Sequence, residues 1–440
     1  MTTTNNTYLR EFAKYTSFNV VAMISVSCYI LIDTFFIAAA LGYSGLAALN
    51  FAVPVWGFIV GCGLMLGIGG ATKYTIAKSQ KKDKAANRIF TNTVLLTLGF
   101  SVIFVIGGLF FADTIAATFG ANDYVFAMSK DYLFVLLLFS PVILFNYILI
   151  CFVRNDNAPQ LAMAAMVVSS FSNIAFDYLF IILLDMEMFG AALATGLAQI
   201  LGLLLLLTHF IRKRNGFRLI RCKPERKIVG GVFATGFPSL VTEVSISVVM
   251  ITFNLIIFSI AENVGVAAYG VIANIFIVII SIYNGIAGGV QPLISKYYGI
   301  GSMNLAKLML RYALFLMAII SALVYASVFF GANYIADIFN REQNEVLQQL
   351  AVSGLRIYFI GSVFAGLNII MAIYFTSIKR PRPAHIISLL RGFAVIFPLV
   401  FLLSQAVGIT GVWLAFPVTE FLVGGVGVVF YWMMSKRVNK

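Results

Sequence analysis

Residues Ser169–Leu201, SSFSNIAFDYLFIILLDMEMFGAALATGLAQIL, read as two hydrophobic helices joined by a short acidic turn around Asp185 and Glu187. Asn173 and Asp177 stand four residues apart, so a helix projects both from one face. Thr195 and Gln199 repeat that spacing on the next helix. One carboxylate and three neutral polar side chains therefore sit inside otherwise apolar runs. A carboxylate at bilayer depth costs roughly 2.5–3.5 kcal/mol on insertion scales, so its presence there points to function. The competing structural reading is interhelical hydrogen bonding, a common use of Asn and Thr in membranes.

Working outward, the apolar runs recur along the whole chain. Of 440 residues, 61% are hydrophobic and 11% charged, and the mean hydropathy is +0.97. Runs of about 20 apolar residues are the length needed to cross the hydrocarbon core as helix. They are continuous and do not alternate, which excludes a membrane barrel. The sequence predicts an all-α membrane protein with twelve spans at about 15–40, 48–72, 90–111, 126–152, 160–184, 190–211, 229–258, 267–295, 307–330, 350–376, 384–404 and 411–434.

The net charge of +13 is distributed by loop. Lys73, Lys78, Lys81, Lys82, Lys84 and Arg88 share one connection, and Arg212, Lys213, Arg214, Arg218, Arg221, Lys223, Arg226 and Lys227 the central one. Later clusters are Lys296, Lys307 and Arg311, then Lys379, Arg380 and Arg382, then Lys436, Arg437 and Lys440. The alternate connections carry Asp113, Asp123, Asp131, Asp185, Glu187, Glu262, Asp337, Glu342 and Glu345. This asymmetry predicts both termini on the cytoplasmic side of a plasma membrane, and contact of the basic face with anionic lipid rather than nucleic acid. Cys28, Cys62, Cys151 and Cys222 lack the spacing of a disulfide framework. The first apolar run is too long for a signal peptide and is expected to remain as the first helix.

The second half repeats the first at an offset of about 220 residues. Gly45 aligns with Gly265, Gly69-Gly70 with Gly288-Gly289, and Ala112–Phe119 (ADTIAATF) with Ala332–Phe339 (ANYIADIF). Asn146 aligns with Asn368, Pro159 with Pro383, and Gly190-Ala-Ala-Leu-Ala with Gly411-Val-Trp-Leu-Ala. Two six-helix copies share one orientation and are related by an axis along the membrane normal, a geometry used by transporters that open alternately to either side. The expected organisation is a lobe at 1–213, a basic linker at 214–228 and a lobe at 229–440.

Four carboxylates fall within spans: Asp33, Asp177, Glu243 and Glu420. Asp33 and Asp177 belong to the first half, and Asn254 and Phe401 or a neighbour stand near their counterparts in the second. Two carboxyls close together at low dielectric exchange protons as a pair. With Asn173 and Thr195 they also offer hard oxygen ligands to Na+. Composition alone does not separate H+ from Na+. Glu243, Glu420 and Gln199 are secondary candidates for a substrate or proton role. For Glu243 the alternative is satisfaction of backbone groups freed by Pro238. Arg356 and Arg391 are expected to serve as structural partners or to snorkel, and His385 to lie at a helix end. The Phe, Tyr and Met content suits a greasy path and lipid-facing surface alike. No nucleotide-binding loop, metal cluster or catalytic triad is evident, so no enzyme activity and no cofactor beyond a coupling cation is expected.

These residues resemble the multidrug and toxic compound extrusion (MATE) family, in its prokaryotic DinF-like branch and close in pattern to MepA-type exporters. The resemblance rests on Asp33 followed by Gly42-Tyr-Ser-Gly-Leu-Ala-Ala, on Arg154 leading to Pro159, and on Asn173-x-x-x-Asp177 followed by Gly190-Ala-Ala-Leu-Ala-Thr195. It covers essentially the whole chain. It implies a cation site in the first lobe at Asp33, Asn173, Asp177 and Thr195. It further implies export of cationic amphipathic compounds in exchange for Na+ or H+, by a chain working as a monomer. Asn157 and Gln80 stand where the family commonly has glycine, although Gly299 keeps it in the second half. The rival functions are a lipid-linked precursor or polysaccharide flippase of the same superfamily and, more distantly, a receptor or scaffold that transports nothing.

Overall fold

The computed structural model describes residues 2–118, 123–340 and 343–438. Glu342 and Lys440 lie outside the described residues, as do the side chains of Asp123 and Arg437. The described chain is helical, with short turns and one longer non-helical connection between α6 and α7. In order the helices are α1 (Asn6–Gly42), α2 (Ser44–Ser79), α3 (Asp83–Thr118), α4 (Val125–Leu138 and, after a 51° bend, Ser140–Asn155), α5 (Pro159–Leu183) and α6 (Glu187–Ile211). The second half supplies α7 (226–260), α8 (263–299), α9 (Met303–Phe339), α10 (Glu345–Ser377), α11 (Pro381–Val407) and α12 (Ile409–Lys436).

Residues Arg226–Gly299 are helical over 74 positions. At 1.5 Å per residue that is about 110 Å, far more than one crossing of a bilayer. The break is at Ala261 and Glu262, where the backbone leaves helical geometry (Glu262 φ 49°, ψ −147°). Gly42 (φ 60°, ψ −144°) makes the equivalent break between α1 and α2. Ten described helices satisfy length and apolarity outright, the bent α4 makes eleven, and division at 261–262 makes twelve. Several run past the apolar segments, as α3 does at Asp83–Thr118. Hydropathy sees only the part in hydrocarbon, whereas the charged ends remain good helix formers.

The turns make the internal repeat visible in the backbone. Left-handed residues recur in pairs about 220 positions apart: Gly42 and Glu262 (φ 60° and 49°), Lys81 and Gly301 (58° and 83°), Asn157 and Lys379 (62° and 56°), Glu187 and Gly408 (49° and 63°). Each pair has the same turn and a different residue. This register corrects one sequence alignment and sharpens two others. Pro159 opens α5 as Pro381 opens α11, so Pro381 and not Pro383 is its counterpart. Counting back from Gly42 and Glu262, Asp33 corresponds to Phe253, one residue before Asn254. Matching burial along the two helices sets Asn173 against Ile396 and Asp177 against Val400, one residue before Phe401, because the π-helical turn of α11 (Leu390–Ala394) comes earlier than that of α5 (Tyr178–Leu183). The left-handed geometry of Asn157 also explains why glycine suits that position; Asn is among the side chains that tolerate it best.

Packing follows the two halves, with an exchange in each direction. Clusters around Phe90, Cys151, Phe152 and Phe217, and around Ile37, Leu133, Leu136 and Ile181, use first-half residues, and the former also takes in Val232 of α7. A larger cluster around Tyr283, Tyr374, Phe375 and Trp413 uses the second half, yet includes Phe12 and Tyr15 of α1. Between Arg212 and Glu225 the chain is not helical. It is nevertheless docked: Phe217 is fully buried against Tyr74, Phe90, Phe152 and Phe210.

The halves meet along α1 and α2 against α7 and α8, where glycines permit backbone approach. A methyl group at Gly236 would collide with the Met65 carbonyl, and one at Gly69 with that of Val232. A polar lattice ties the same interface near the basic end. Arg154 Nη1 donates to Asn19 Oδ1 (2.7 Å), whose amide donates to the Gly285 carbonyl (2.8 Å). Asn155 Nδ2 donates to Gln291 Oε1 (2.9 Å), and Gln291 Nε2 donates to Thr72 Oγ1 (2.9 Å).

Candidate functional site

Four of the sequence candidates converge inside the first lobe. α1 carries Asp33, α5 carries Asn173 and Asp177, and α6 carries Thr195. The carboxyls of Asp33 and Asp177 are within hydrogen-bonding range of each other. Asn173 Nδ2 donates to Thr195 Oγ1 at 3.3 Å. Asp177 is 0% exposed, Asn173 and Thr195 are buried, and Asp33 is half-buried.

The backbone changes form where the site lies. From Tyr178 to Leu183 α5 widens into a π-helical turn, with Leu184 N–H bonded five residues back to the Leu179 carbonyl (3.0 Å). Such turns inside α-helices are frequent at functional sites. Here the widened turn follows Asp177 directly.

The oxygens of the site lack donors. Asp33 Oδ1, Asn173 Oδ1 and both carboxyl oxygens of Asp177 are shielded from solvent and accept no hydrogen bond. A buried acceptor left without a partner costs about 1–3 kcal/mol, more when it is charged. Four such oxygens from three residues are therefore a chemical demand for a proton or a hard cation, both of which bind carboxylate and amide oxygens.

Two tyrosines complete the pocket, and sequence reasoning missed both. Tyr29 is buried within electrostatic range of both carboxyls. It stands four residues before Asp33, so helical spacing alone could have marked it. Tyr132, also buried, lies near Thr195 and both acids. It comes from α4 and carries no sequence signal. Beside them is a void of about 20 Å³ lined by Tyr29, Asn146, Ser169 and Gln199 among others, room for a single water among polar groups.

The secondary candidates lie elsewhere. Gln199 accepts a hydrogen bond from Asn146 Nδ2 on the far wall of that void. Glu420, its counterpart in the second lobe, accepts from Asn368 Nδ2 (2.7 Å) and from Arg391 Nε (2.5 Å). Asn146–Gln199 is thus repeated as Asn368–Glu420, with an arginine added. Glu243 is half-buried on α7, its Cβ facing Gly61 of α2 across the lobe interface, and Tyr147 lies near it. Glu243 does not serve the backbone freed by Pro238. The Ala234 carbonyl, four residues before that proline, is bonded by His385 Nε2 (2.6 Å), and Thr242 Oγ1 donates to the Pro238 carbonyl (2.9 Å).

The pattern of the MatE family matches residues 19–179 and 238–402, one copy in each lobe. The chain belongs to the MatE family. The multidrug export protein MepA of Staphylococcus aureus (strain MSSA476) is 23% identical over 413 residues, 93% of this chain and 90% of that protein. MepA of Staphylococcus saprophyticus is likewise 23% identical over 413 residues, with the same shares covered. Among solved structures, a MATE protein in complex with MaL6 superposes with TM-score 0.92 at 22% identity, over 98% of this chain and 96% of that one. A multidrug resistance MATE transporter in its outward-facing conformation gives TM-score 0.91 at 22% identity over the same shares. The two-lobed MatE fold and its membrane-spanning helices are thus those of this chain.

Proposed function

We propose that this protein exports small cationic amphipathic compounds in exchange for inward movement of H+ or Na+. The site for the coupling ion is Asp33, Asn173, Asp177 and Thr195, with Tyr29 and Tyr132 as pocket walls. The observation that carries this reading is the set of four shielded oxygens without donors at Asp33, Asn173 and Asp177. Two carboxyls in contact at low dielectric repel one another when both are ionised. Arrival of H+ or Na+ removes that repulsion and lets α1 close on α5; its departure restores the repulsion. Movement of one charge inward across the membrane releases about 2.3 kcal/mol per 100 mV, which drives expulsion of cargo.

Alternating access supplies the coupling. α1 carries Asp33 at one level and Asn19 at another, so a shift of α1 at the ion site reaches the lattice of Arg154, Asn19 and Gly285. That lattice, with Asn155, Gln291 and Thr72, holds the basic ends of the lobes together, and we assign the basic end to the cytoplasm. Exchange of the ion for cargo requires it to open. A single chain contains both lobes and needs no second copy. Cationic cargo fits the charge balance within the spans: Glu420 is paired with Arg391, whereas Asp33, Asp177 and Glu243 take part in none of the ion pairs among the described residues. A flippase for diphosphate-linked lipids would need the opposite polarity, and a receptor would have no use for an unsatisfied acidic pair. MepA, similar over nearly the whole chain, is a multidrug export protein.

Proteoliposomes with the Na+ and H+ gradients imposed separately test this. Efflux of a fluorescent organic cation is expected with one gradient, and Asp177→Asn is expected to lose it while inserting normally. Undiminished efflux by that variant would refute the site.

A further inference from the structure

A cavity lies outside the ion site, with none of Asp33, Asn173, Asp177 or Thr195 in its lining. It occupies about 840 Å³ at the basic end of the first lobe, and its walls include Lys78, Asp156, Gln160, His209, Arg212 and Arg214. We propose that this cavity binds a phosphate-bearing anion, with the headgroup of an anionic lipid as its favoured occupant.

The charge balance comes first. The cavity's one carboxylate, Asp156, is already engaged: Tyr74 Oη donates to Oδ1 (2.6 Å), while His209 Nε2 (2.9 Å) and Gly216 N–H (2.6 Å) meet Oδ2. Asp156 and His209 are 7% and 4% exposed, so they form a fixed floor. Lys78 is partnered by Asp83 (2.6 Å). Arg212 and Arg214 are exposed and take part in none of the ion pairs among the described residues. Two forked guanidiniums without counterions match a phosphate group, which they grip through paired N–H donors. The start of α5 at Pro159 borders the same cavity, adding the positive end of a helix dipole.

Depth identifies the class of ligand. Arg212 follows Ile211, the last residue of α6, which is 77% exposed. Exposed Leu204 and Leu207 continue that apolar face along the helix. The guanidiniums therefore stand where the hydrocarbon ends and headgroups begin, a level at which basic side chains meet anionic lipid. The volume exceeds that of a bare phosphate and leaves room for a glycerol headgroup. The floor is rigid for a local reason: Gly216 brings its N–H onto Asp156 because it lacks a side chain, and a methyl group there would strike Asp156 and Tyr74.

The test uses the full-length protein in neutral detergent. Its thermal unfolding midpoint is followed while inorganic phosphate, dioleoylphosphatidylglycerol or dioleoylphosphatidylcholine is added. Phosphatidylglycerol is expected to raise the midpoint and phosphatidylcholine not to. In the double variant Arg212→Gln/Arg214→Gln the half-saturating amount should rise at least fivefold. Arg221→Gln/Arg226→Gln, which removes two charges outside the cavity, should leave it unchanged. Protection by inorganic phosphate alone, lost in the first double variant, would keep the site and assign it a soluble phosphate. Equal protection by both lipids, an equal loss in both double variants, or no protection by any probe would overturn the proposal.

Discussion

The two lobes share a backbone plan and differ in what fills it. In the first, the level of Asp33, Asn173, Asp177 and Thr195 is polar, with shielded oxygens lacking donors. Set by the paired turns and the burial pattern, the same positions in the second lobe are Phe253, Ile396, Val400 and Phe416. Phe253 stacks on Tyr269 (5.6 Å), Tyr269 on Trp413 (6.2 Å), and Tyr358 on Phe416 (4.3 Å). One copy of the duplicated fold holds a cluster of unsatisfied acceptors, while the other is packed with aromatic and aliphatic side chains at the same level. Where the second lobe does keep polarity, at Asn368 and Glu420, it adds Arg391 and closes the charge balance. On the proposed mechanism this contrast is a division of labour, in which the first lobe answers to the ion and the second balances its buried charge within itself.

That comparison can be broken or sharpened by exchanging features between lobes. The largest effect is expected from Asp33→Asn, which removes one acid of the pair. Gradient-driven efflux from proteoliposomes should fall at least tenfold with little change in the unfolding midpoint. An active variant would mean that the asymmetry between lobes is unrelated to coupling.

Next is Glu420→Gln, which gives the second lobe the amide of Gln199 but strands Arg391. Leaving a buried charge unpaired costs about 3–5 kcal/mol, read as a drop in the unfolding midpoint. Arg391→Ser with Glu420→Gln imports the arrangement of Ser169 and Gln199 and should recover most of that loss. Failure of the double variant to recover would show that the ion pair does more than balance charge.

A smaller loss is expected for His385→Ala, which deprives the Ala234 carbonyl of its donor beside Pro238. The penalty for an unsatisfied buried carbonyl is about 1–3 kcal/mol, measured by chemical unfolding in micelles. The smallest effect concerns the paired turns. Glu262→Gly gives the second lobe the residue of Gly42 at a left-handed position. Relief of that backbone strain should stabilise by about 1 kcal/mol, whereas Gly42→Ala should destabilise.

Much of the architecture was legible in the chain itself. Spans, repeat and the basic and acidic connections are written in hydropathy, spacing and charge. Bilayer thickness sets the length of a crossing helix, and no partner is needed to read it. Asn173 and Asp177 were visible because four residues on one helix define a face, and a carboxylate in an apolar run is rare enough to stand out. Tyr29 was within reach of the same rule. Tyr132 was not, because its nearness to Thr195 depends on how α4 packs against α6. The role of His385 was equally hidden: it lies 151 residues from the carbonyl it serves.

The sequence by itself thus determined that the protein is a duplicated, twelve-helix membrane chain with two acids in the spans of each half, since local composition and periodicity carry that information. Only the tertiary structure decided which acids meet. It joined Asp33 to Asp177, gave Glu420 to Arg391, turned Glu243 toward the lobe interface, and folded the basic linker down over Asp156. These are contacts between helices distant along the chain, and their geometry is set by packing, which no single helix encodes.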